Sequence, residues 1–184
     1  AIALYADGDE LCFDHIALLG WQDTLFTGPL PPKEIEKNGF IGPKQFAPRR
    51  NGRQYYHDCH IEGDIDFIFG SATAYFDHCT IYQKDRRKLL RPADTGPVPR
   101  KPSCNDASLP GSAESSGKKR DSAADPHAVG EALSYATAAS TAEGQTYGYV
   151  FDHCRFLSDC PAGSCYLGRP WRNFARVAVL HSWL

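Results

Sequence analysis

The chain has 184 residues, 42% of them hydrophobic, which is enough to bury a substantial core as one domain. No apolar run reaches 18 residues and no basic-then-apolar leader opens the sequence, so it reads as neither a membrane-spanning helix nor a signal segment. The formal net charge of −2 is unevenly spread: Lys84 to Arg120 carries ten Lys/Arg against four acids, and the remainder is correspondingly acidic. Met is absent, so the sequence is expected to be a piece of a longer protein, and the missing signal segment says nothing about secretion.

Taken in chain order, Phe13-Asp14-His15-Ile16-Ala17-Leu18 is the first case of a six-residue pattern: an aromatic residue, two polar residues, Cys or Ile, one more residue, and a closing apolar one. Gly20-Trp21-Gln22-Asp23-Thr24-Leu25-Phe26 follows, with an Asp embedded among apolar and aromatic residues. Residues 27–51 contain Pro-Leu-Pro-Pro, Ile41-Gly42-Pro43 and Ala47-Pro48-Arg49-Arg50, and read as an ordered, Pro-stiffened excursion. The pattern returns as Tyr56-His57-Asp58-Cys59-His60-Ile61 and as Phe76-Asp77-His78-Cys79-Thr80-Ile81. Between these two copies stands Gly63-Asp64-Ile65-Asp66-Phe67-Ile68-Phe69-Gly70, with a second Asp in an apolar run.

Residues 88–130 combine the basic excess with prolines and a Ser/Gly/Ala-rich tail. Such a composition cannot bury enough apolar surface to offset its ordering entropy, so the segment reads as a solvated, disordered insertion. It could instead attract a polyanion, but it has no aromatic interleaving and no nucleic-acid-binding motif, so no nucleic-acid partner is expected. Asp125 to Ala139 is Ala-rich, yet its end, Tyr135 to Ser140, suits a strand better than a helix. Phe151-Asp152-His153-Cys154-Arg155-Phe156 repeats the pattern again, and Tyr166-Leu167-Gly168-Arg169-Pro170-Trp171 places an Arg among apolar and aromatic residues.

The repeat sets the expected architecture. Cys79 and Ile81 lie two apart and share a strand face, as do Cys154 and Phe156, and the interval from Cys59 to Cys79 suits one turn of a solenoid. Strand-rich units with recurring Cys/Ile positions favour an all-β parallel β-helix, in which equivalent side chains pile up inside. A β-sandwich offers no reason for such close echoes. The whole of 1–184 is then one partial domain, interrupted by the excursion and by the insertion.

Seven cysteines occur, and neighbouring His and Cys recur at His78-Cys79 and His153-Cys154. Adjacent residues of a strand point to opposite faces, so one dipeptide cannot give two ligands to one zinc, and buried apolar thiols are the simpler reading. Cys160 and Cys165 flank Pro-Ala-Gly-Ser and could close a small loop in an oxidising compartment, or remain thiols.

Two carboxylates in partly apolar surroundings can divide labour if their environments separate their pKa values. An Arg beside one keeps it ionised and aimed as a nucleophile, while the other, buried near an anion, serves as acid and then base. Gln22, next to Asp23, can donate to a developing oxyanion. This inventory fits ester hydrolysis through an acyl-carboxylate intermediate and glycoside hydrolysis by two acids equally well.

Gln22 to Leu25, Gly63 to Gly70 and Leu167 to Trp171 resemble, in order, the QDTL, G-x-V-D-F-I-F-G and L-G-R-P-W motifs of the pectin methylesterases (pectinesterases), carbohydrate esterases that demethylate homogalacturonan. The motif-bearing regions, about Ala1 to Asp85 and Tyr135 to Leu184, cover most of the chain outside the basic insertion. The resemblance implies a right-handed parallel β-helix, a secreted enzyme acting as a monomer on pectin, and no metal or organic cofactor. By position it implies Asp66 as nucleophile, Asp23 as general acid/base, Gln22 in the oxyanion hole and Arg169 orienting Asp66. Phe26, Phe69 and Trp171 would line the cleft and stack on sugar rings. The alternatives are a non-catalytic β-helix carbohydrate-binding protein or fragment and a β-helix polygalacturonase, against which the Gly-Arg-Pro-Trp segment speaks.

The chain also departs from the family pattern. Ala1-Ile2-Ala3-Leu4 resembles the tail of a Gln-Ala-Val-Ala-Leu-like stretch, which would put a second oxyanion Gln immediately before residue 1. The family pattern also continues past Leu184, so truncation at both ends is expected, and with it a fragment that can be inactive. The long interval from Asp23 to Asp66, filled by the Pro-rich excursion, and Asp64 in place of the Thr common in plant members are bacterial-like traits. The basic insertion resembles no family feature.

Overall fold

The computed structural model describes residues 2–32, 46–90 and 131–184. Within them the chain winds through coils of three short strands. The first coil is β1 (Leu4–Ala6), β2 (Leu11–Asp14) and β3 (Ala17–Leu19); the second is β4 (Leu25–Thr27), β5 (Arg53–His57) and β6 (His60–Gly63). The third, β7 (Ile65–Gly70), β8 (Thr73–Asp77) and β9 (Thr80–Gln83), is followed by a one-turn helix, α1 (Arg87–Leu90). The fourth is β10 (Ser134–Ala139), β11 (Tyr149–Asp152) and β12 (Arg155–Ser158), and β13 (Cys165–Gly168) and β14 (Val177–Leu180) begin a fifth.

Each strand pairs in parallel with its counterpart one coil away. The result is three sheets, in the orders β1-β4-β7-β10-β13, β14-β11-β8-β5-β2 and β12-β9-β6-β3. This is a parallel β-helix, as the repeat implies, and a right-handed one, as the resemblance implies. The Ala-rich stretch ends in β10, a strand.

Equivalent positions stack because parallel register repeats every coil. Phe13, Tyr56, Phe76 and Phe151 occupy one register column. Their rings lie face to face at 4.9, 4.7 and 4.5 Å. Leu18, Ile61, Ile81 and Phe156 form a second buried column. Cys59, Cys79 and Cys154 are buried, and each thiol donates to a carbonyl of the preceding coil, Phe13 O, Tyr56 O and Phe76 O respectively. These are packing thiols. Cys160 and Cys165 stand as free thiols, and Cys104 lies outside the described residues.

The two polar residues of the repeat make the corner between the second and third sheets. Asp14, His57, Asp77 and Asp152 end β2, β5, β8 and β11. The next residues, His15, Asp58, His78 and His153, take left-handed φ values of 53, 48, 54 and 52°. Asp and His visit that region more readily than bulky residues do. The backbone ladder continues through the turn, with His15 N donating to His57 O, Asp58 N to Asp77 O and His78 N to Asp152 O, all at 3.0 Å.

Both ends of the Pro-rich excursion lie together, where Arg49 Nε donates to Leu30 O at 2.8 Å; residues 33–45 fall outside the described residues. The expected insertion, 88–130, also lies outside them apart from its first residues. Those residues are ordered: Asp85 Oδ1 accepts from Arg87 N at the start of α1, and Lys88 Nζ reaches Asp159 Oδ2 at 2.5 Å. The described structure thus includes α1 to Leu90, with two acids anchoring its basic residues.

Phe76 is fully buried with an aromatic ring on each side. Phe76→Ala should cost about 3–5 kcal/mol in denaturant unfolding; a loss under about 1 kcal/mol would mean that the column does not carry the core.

Candidate active site

The register of the first sheet assembles the site. The offset that pairs Leu25 with Ile68 and Phe26 with Phe69 also sets Asp23 beside Asp66 on adjacent coils. Asp23 N donates to Ile65 O and Asp64 N to Trp21 O, both at 3.2 Å, so the two segments are bonded backbone to backbone just where the carboxylates emerge. Gly63 permits this approach: a Cβ there would collide with Trp21 O and with the Phe67 side chain. Gly70, with φ 131°, passes equally close to Thr27 O.

Asp66 faces outward because β7 is irregular. Between Tyr135 and Thr137 of β10 the register against β7 shifts, Tyr135 pairing with Ile65 and Thr137 with Ile68, so β7 carries one extra residue. Asp66 occupies that bulge with φ 52°. The burial pattern of β7 follows: Ile65, Phe67, Ile68 and Gly70 are buried while Asp66 and Phe69 are partly open, three positions apart. A regular strand would have turned Phe69 and Asp66 to opposite faces. Asp23 likewise sits at φ 59°.

Arg169 comes from the next coil but one. Its backbone N donates to Thr137 O at 2.9 Å just past β13, and Trp171 N donates to Ala139 O at 2.9 Å. From there its guanidinium forks onto Asp66, Nε to Oδ1 at 2.8 Å and Nη2 to Oδ2 at 2.6 Å. Such a planar two-bond grip fixes the direction of the carboxylate as well as its charge. The Arg169 side chain is 51% exposed, against 18% for Asp66. The apolar flanks in the sequence do not bury it; they lie in register while the side chain projects from the coil. Tyr135 supports it from below, with the guanidinium carbon 4.7 Å from its ring centroid, and Tyr166 stacks under Tyr135 at 5.3 Å.

The aromatic residues divide. Phe69 and Trp171 are partly open and meet edge to face at 5.9 Å. Phe26 is 1% exposed and packs between Tyr5, at 4.5 Å, and Phe69, at 5.2 Å. It therefore supports Phe69 from within and cannot itself stack on a sugar ring, a correction to the expectation from sequence. Gln22 is exposed immediately before Asp23.

The two carboxylates differ in environment. Asp23 is pushed up to about 6, first by burial and then by the charge of Asp66, with Asp64 adding and Arg169 opposing. Arg169 is raised in turn, chiefly by its hydrogen bonds to Asp66. Asp64 is buried; its Oδ1 accepts from Ile65 N at 2.6 Å, and Arg86 Nε lies 4.0 Å from Oδ2, which accepts no hydrogen bond among the described residues. Asp64 and Tyr135 were not singled out as site residues from sequence. The signal that could have found Tyr135 was its register against Ile65, one position before Asp66. A carboxylate gripped by a guanidinium, beside one that holds its proton to about pH 6, can attack an electrophile while its neighbour protonates what leaves.

A pectinesterase family model matches residues 48–93, which include Asp64 and Asp66. Pectinesterase 31 of Arabidopsis thaliana is 26% identical over 185 residues, and probable pectinesterase A of Neosartorya fischeri is 30% identical over 189. Each comparison takes in 100% of this chain and 37% of the relative. Among solved structures, pectin methylesterase PemA from Erwinia chrysanthemi matches with a TM-score of 0.60 and 25% identity, over 99% of this chain and 41% of that one. The chain is similar to pectinesterases over nearly all of its own length. It spans well under half the length of the pectinesterases it matches.

The Asp23 carboxyl should titrate near pH 6 by carbon-13 NMR, and Asp66→Asn should lower that midpoint by removing a neighbouring negative charge. The linkage sign follows. Folded Asp23 holds its proton more tightly than unfolded Asp, so the penalty for ionising it is felt above about pH 6 and fades as pH falls toward 4. Asp23→Asn should therefore stabilise the fold at pH 7 relative to the parent, with the gain vanishing near pH 4. An Asp23 midpoint near 4 would remove the electrostatic basis for its role.

Proposed function

We propose that this chain carries the catalytic centre of a pectin methylesterase, hydrolysing methyl esters of homogalacturonan to free carboxylates and methanol. The observation that carries this reading is the Arg169–Asp66 fork with a proton-retaining Asp23 on the adjacent coil. Asp66 attacks the ester carbonyl carbon, and the carbonyl electrons move to oxygen, where the Gln22 amide donates. As the tetrahedral intermediate collapses, the carbon–methoxy bond breaks and Asp23 gives its proton to departing methanol. The product is an acyl–Asp66 anhydride. Asp23, now ionised, takes a proton from water as the hydroxyl adds to the acyl carbon. Collapse then breaks the anhydride bond, returns Asp66 as a carboxylate with Asp23 protonated again, and releases the galacturonic acid, which gives its remaining proton to solvent.

The wider features belong to the same proposal. The enzyme acts outside the cell as a monomer, and 1–184 is one partial β-helix domain with the excursion 27–51 and the insertion 88–130 as appendages. The long Asp23-to-Asp66 interval and Asp64 support reading it as a bacterial-like member. Phe69 and Trp171 offer partly open ring surface beside the carboxylates for sugar contact.

The test uses the parent-length protein on highly methylated pectin. Methanol release with falling pH is expected, and Asp66→Ala should abolish it. Gln22→Ala should reduce kcat by roughly 100- to 1,000-fold, the effect of losing one oxyanion donor. Pectin binding without methanol would favour the carbohydrate-binding reading, and new reducing ends without methanol would favour a polygalacturonase; either would overturn the proposal.

A further inference from the structure

The corner between the second and third sheets carries a column of imidazoles and carboxylates that the proposed reaction does not use. His78 and His153 stack at 5.0 Å, and His153 and His181 at 5.1 Å. At the end of this column, His153 Nδ1 and His181 Nδ1 converge on one oxygen, Asp152 Oδ1, at 3.0 and 2.8 Å. The three donor atoms all lie within 4.8 Å of one another. We propose that Asp152, His153 and His181 form a surface site for a divalent transition metal that prefers right-angled ligands, copper(II) foremost.

The choice of metal follows from the ligand spacing. With metal–ligand bonds near 2.0–2.1 Å, neighbouring ligands lie about 2.9 Å apart at 90° and about 3.4 Å apart in a tetrahedron. The two observed edges match the right angle. Two imidazole nitrogens and a carboxylate oxygen suit copper(II), which also binds such donors more strongly than the other divalent first-row ions. Each imidazole binds neutral, with its proton kept on Nε2.

The carboxylate is prepared for this. Asp152 is only 16% exposed, and Tyr75 donates its hydroxyl to Oδ2 at 2.6 Å, fixing the carboxylate plane and leaving Oδ1 for the imidazoles. That hydrogen bond and the contact with His181 Nδ1 at 2.8 Å hold the carboxylate from both oxygens. Backbone geometry supplies the rest. A strand would point Asp152 and His153 to opposite faces, but β11 ends at Asp152, and His153, at φ 52°, turns its ring back over it. His181 has φ 45° and is placed by the β11–β14 register, which pairs Asp152 with Leu180. The related group Asp14, His15 and His57 has similar edges of 2.8 and 2.7 Å, but Asp14 is 58% exposed. The third group, His57, Asp77 and His78, needs the His57 that Asp14 already engages. Asp152 is the best held of the three.

Copper(II) titration, read by calorimetry and electron paramagnetic resonance, tests this. One equivalent should bind more tightly than any other, with a tetragonal spectrum showing hyperfine coupling to two nitrogens. His181→Asn should lose it, with at least tenfold weaker Kd, and so should His153→Asn, which leaves Leu180 to Trp183 unaltered. Melting of each metal-free variant confirms folding. Equal copper affinity in the parent and in a folded variant, or a tight site whose spectrum lacks two nitrogens, would overturn the proposal. It would leave the column as a hydrogen-bonded corner alone.

Discussion

Parallel register between neighbouring coils is the constraint on which everything else depends. Because β4 pairs with β7, β7 with β10 and β10 with β13, a residue on one coil has a fixed neighbour on the next, however long the connecting loop. Asp23, Asp66 and Arg169 are far apart in sequence and meet because all three leave the same sheet, Asp23 and Asp66 at adjacent levels and Arg169 two levels beyond Asp66. The same rule stacks the aromatic column inside and the Asp/His column at the corner. Long excursions are tolerated because loop-closure cost grows only slowly with length.

The site departs from that regularity where function would need it to. Three features work against stability locally: left-handed backbone at Asp23 and Asp66, a bulge in β7, and a buried Asp64 with one oxygen lacking a hydrogen bond among the described residues. The ladders on both sides hold these features in place. Three acidic residues lie close together, and among the described residues Asp66 alone of the three has a bidentate guanidinium. That asymmetry separates the two outer carboxylates: Asp66 is gripped, while Asp23 takes the electrostatic pressure and keeps its proton. Arg169 stays accessible, propped on Tyr135, so its charge is directed by geometry more than by burial.

Much of this was legible in the sequence. Six-residue echoes of Phe-Asp-His-Cys announced the coils, since only a repeating fold gives each position of the echo the same surroundings. Asp23, Asp66 and Arg169 stood out as charged residues in apolar runs. What could not be read depends on backbone detail. The bulge at Asp66 arises from pairing with β10, across a segment whose alignment no local pattern reveals. Phe26 and Phe69 share a register column, yet Phe26 is buried between Tyr5 and Phe69 while Phe69 is partly open beside Trp171, a difference set by neighbours on other coils. The corner histidines were judged as strand residues, and their left-handed turn placed them beside their own aspartates instead.

The central claim is that Asp66 and Arg169 act as one unit on the ester. A double-mutant cycle on kcat/KM for methanol release by the parent-length protein, with Asp66→Asn, Arg169→Gln and both together, measures this most directly. If Arg169 works by holding Asp66, the double variant should be no worse than Asp66→Asn alone, within about threefold. Losses that multiply across the two substitutions would contradict the account and give Arg169 a separate role.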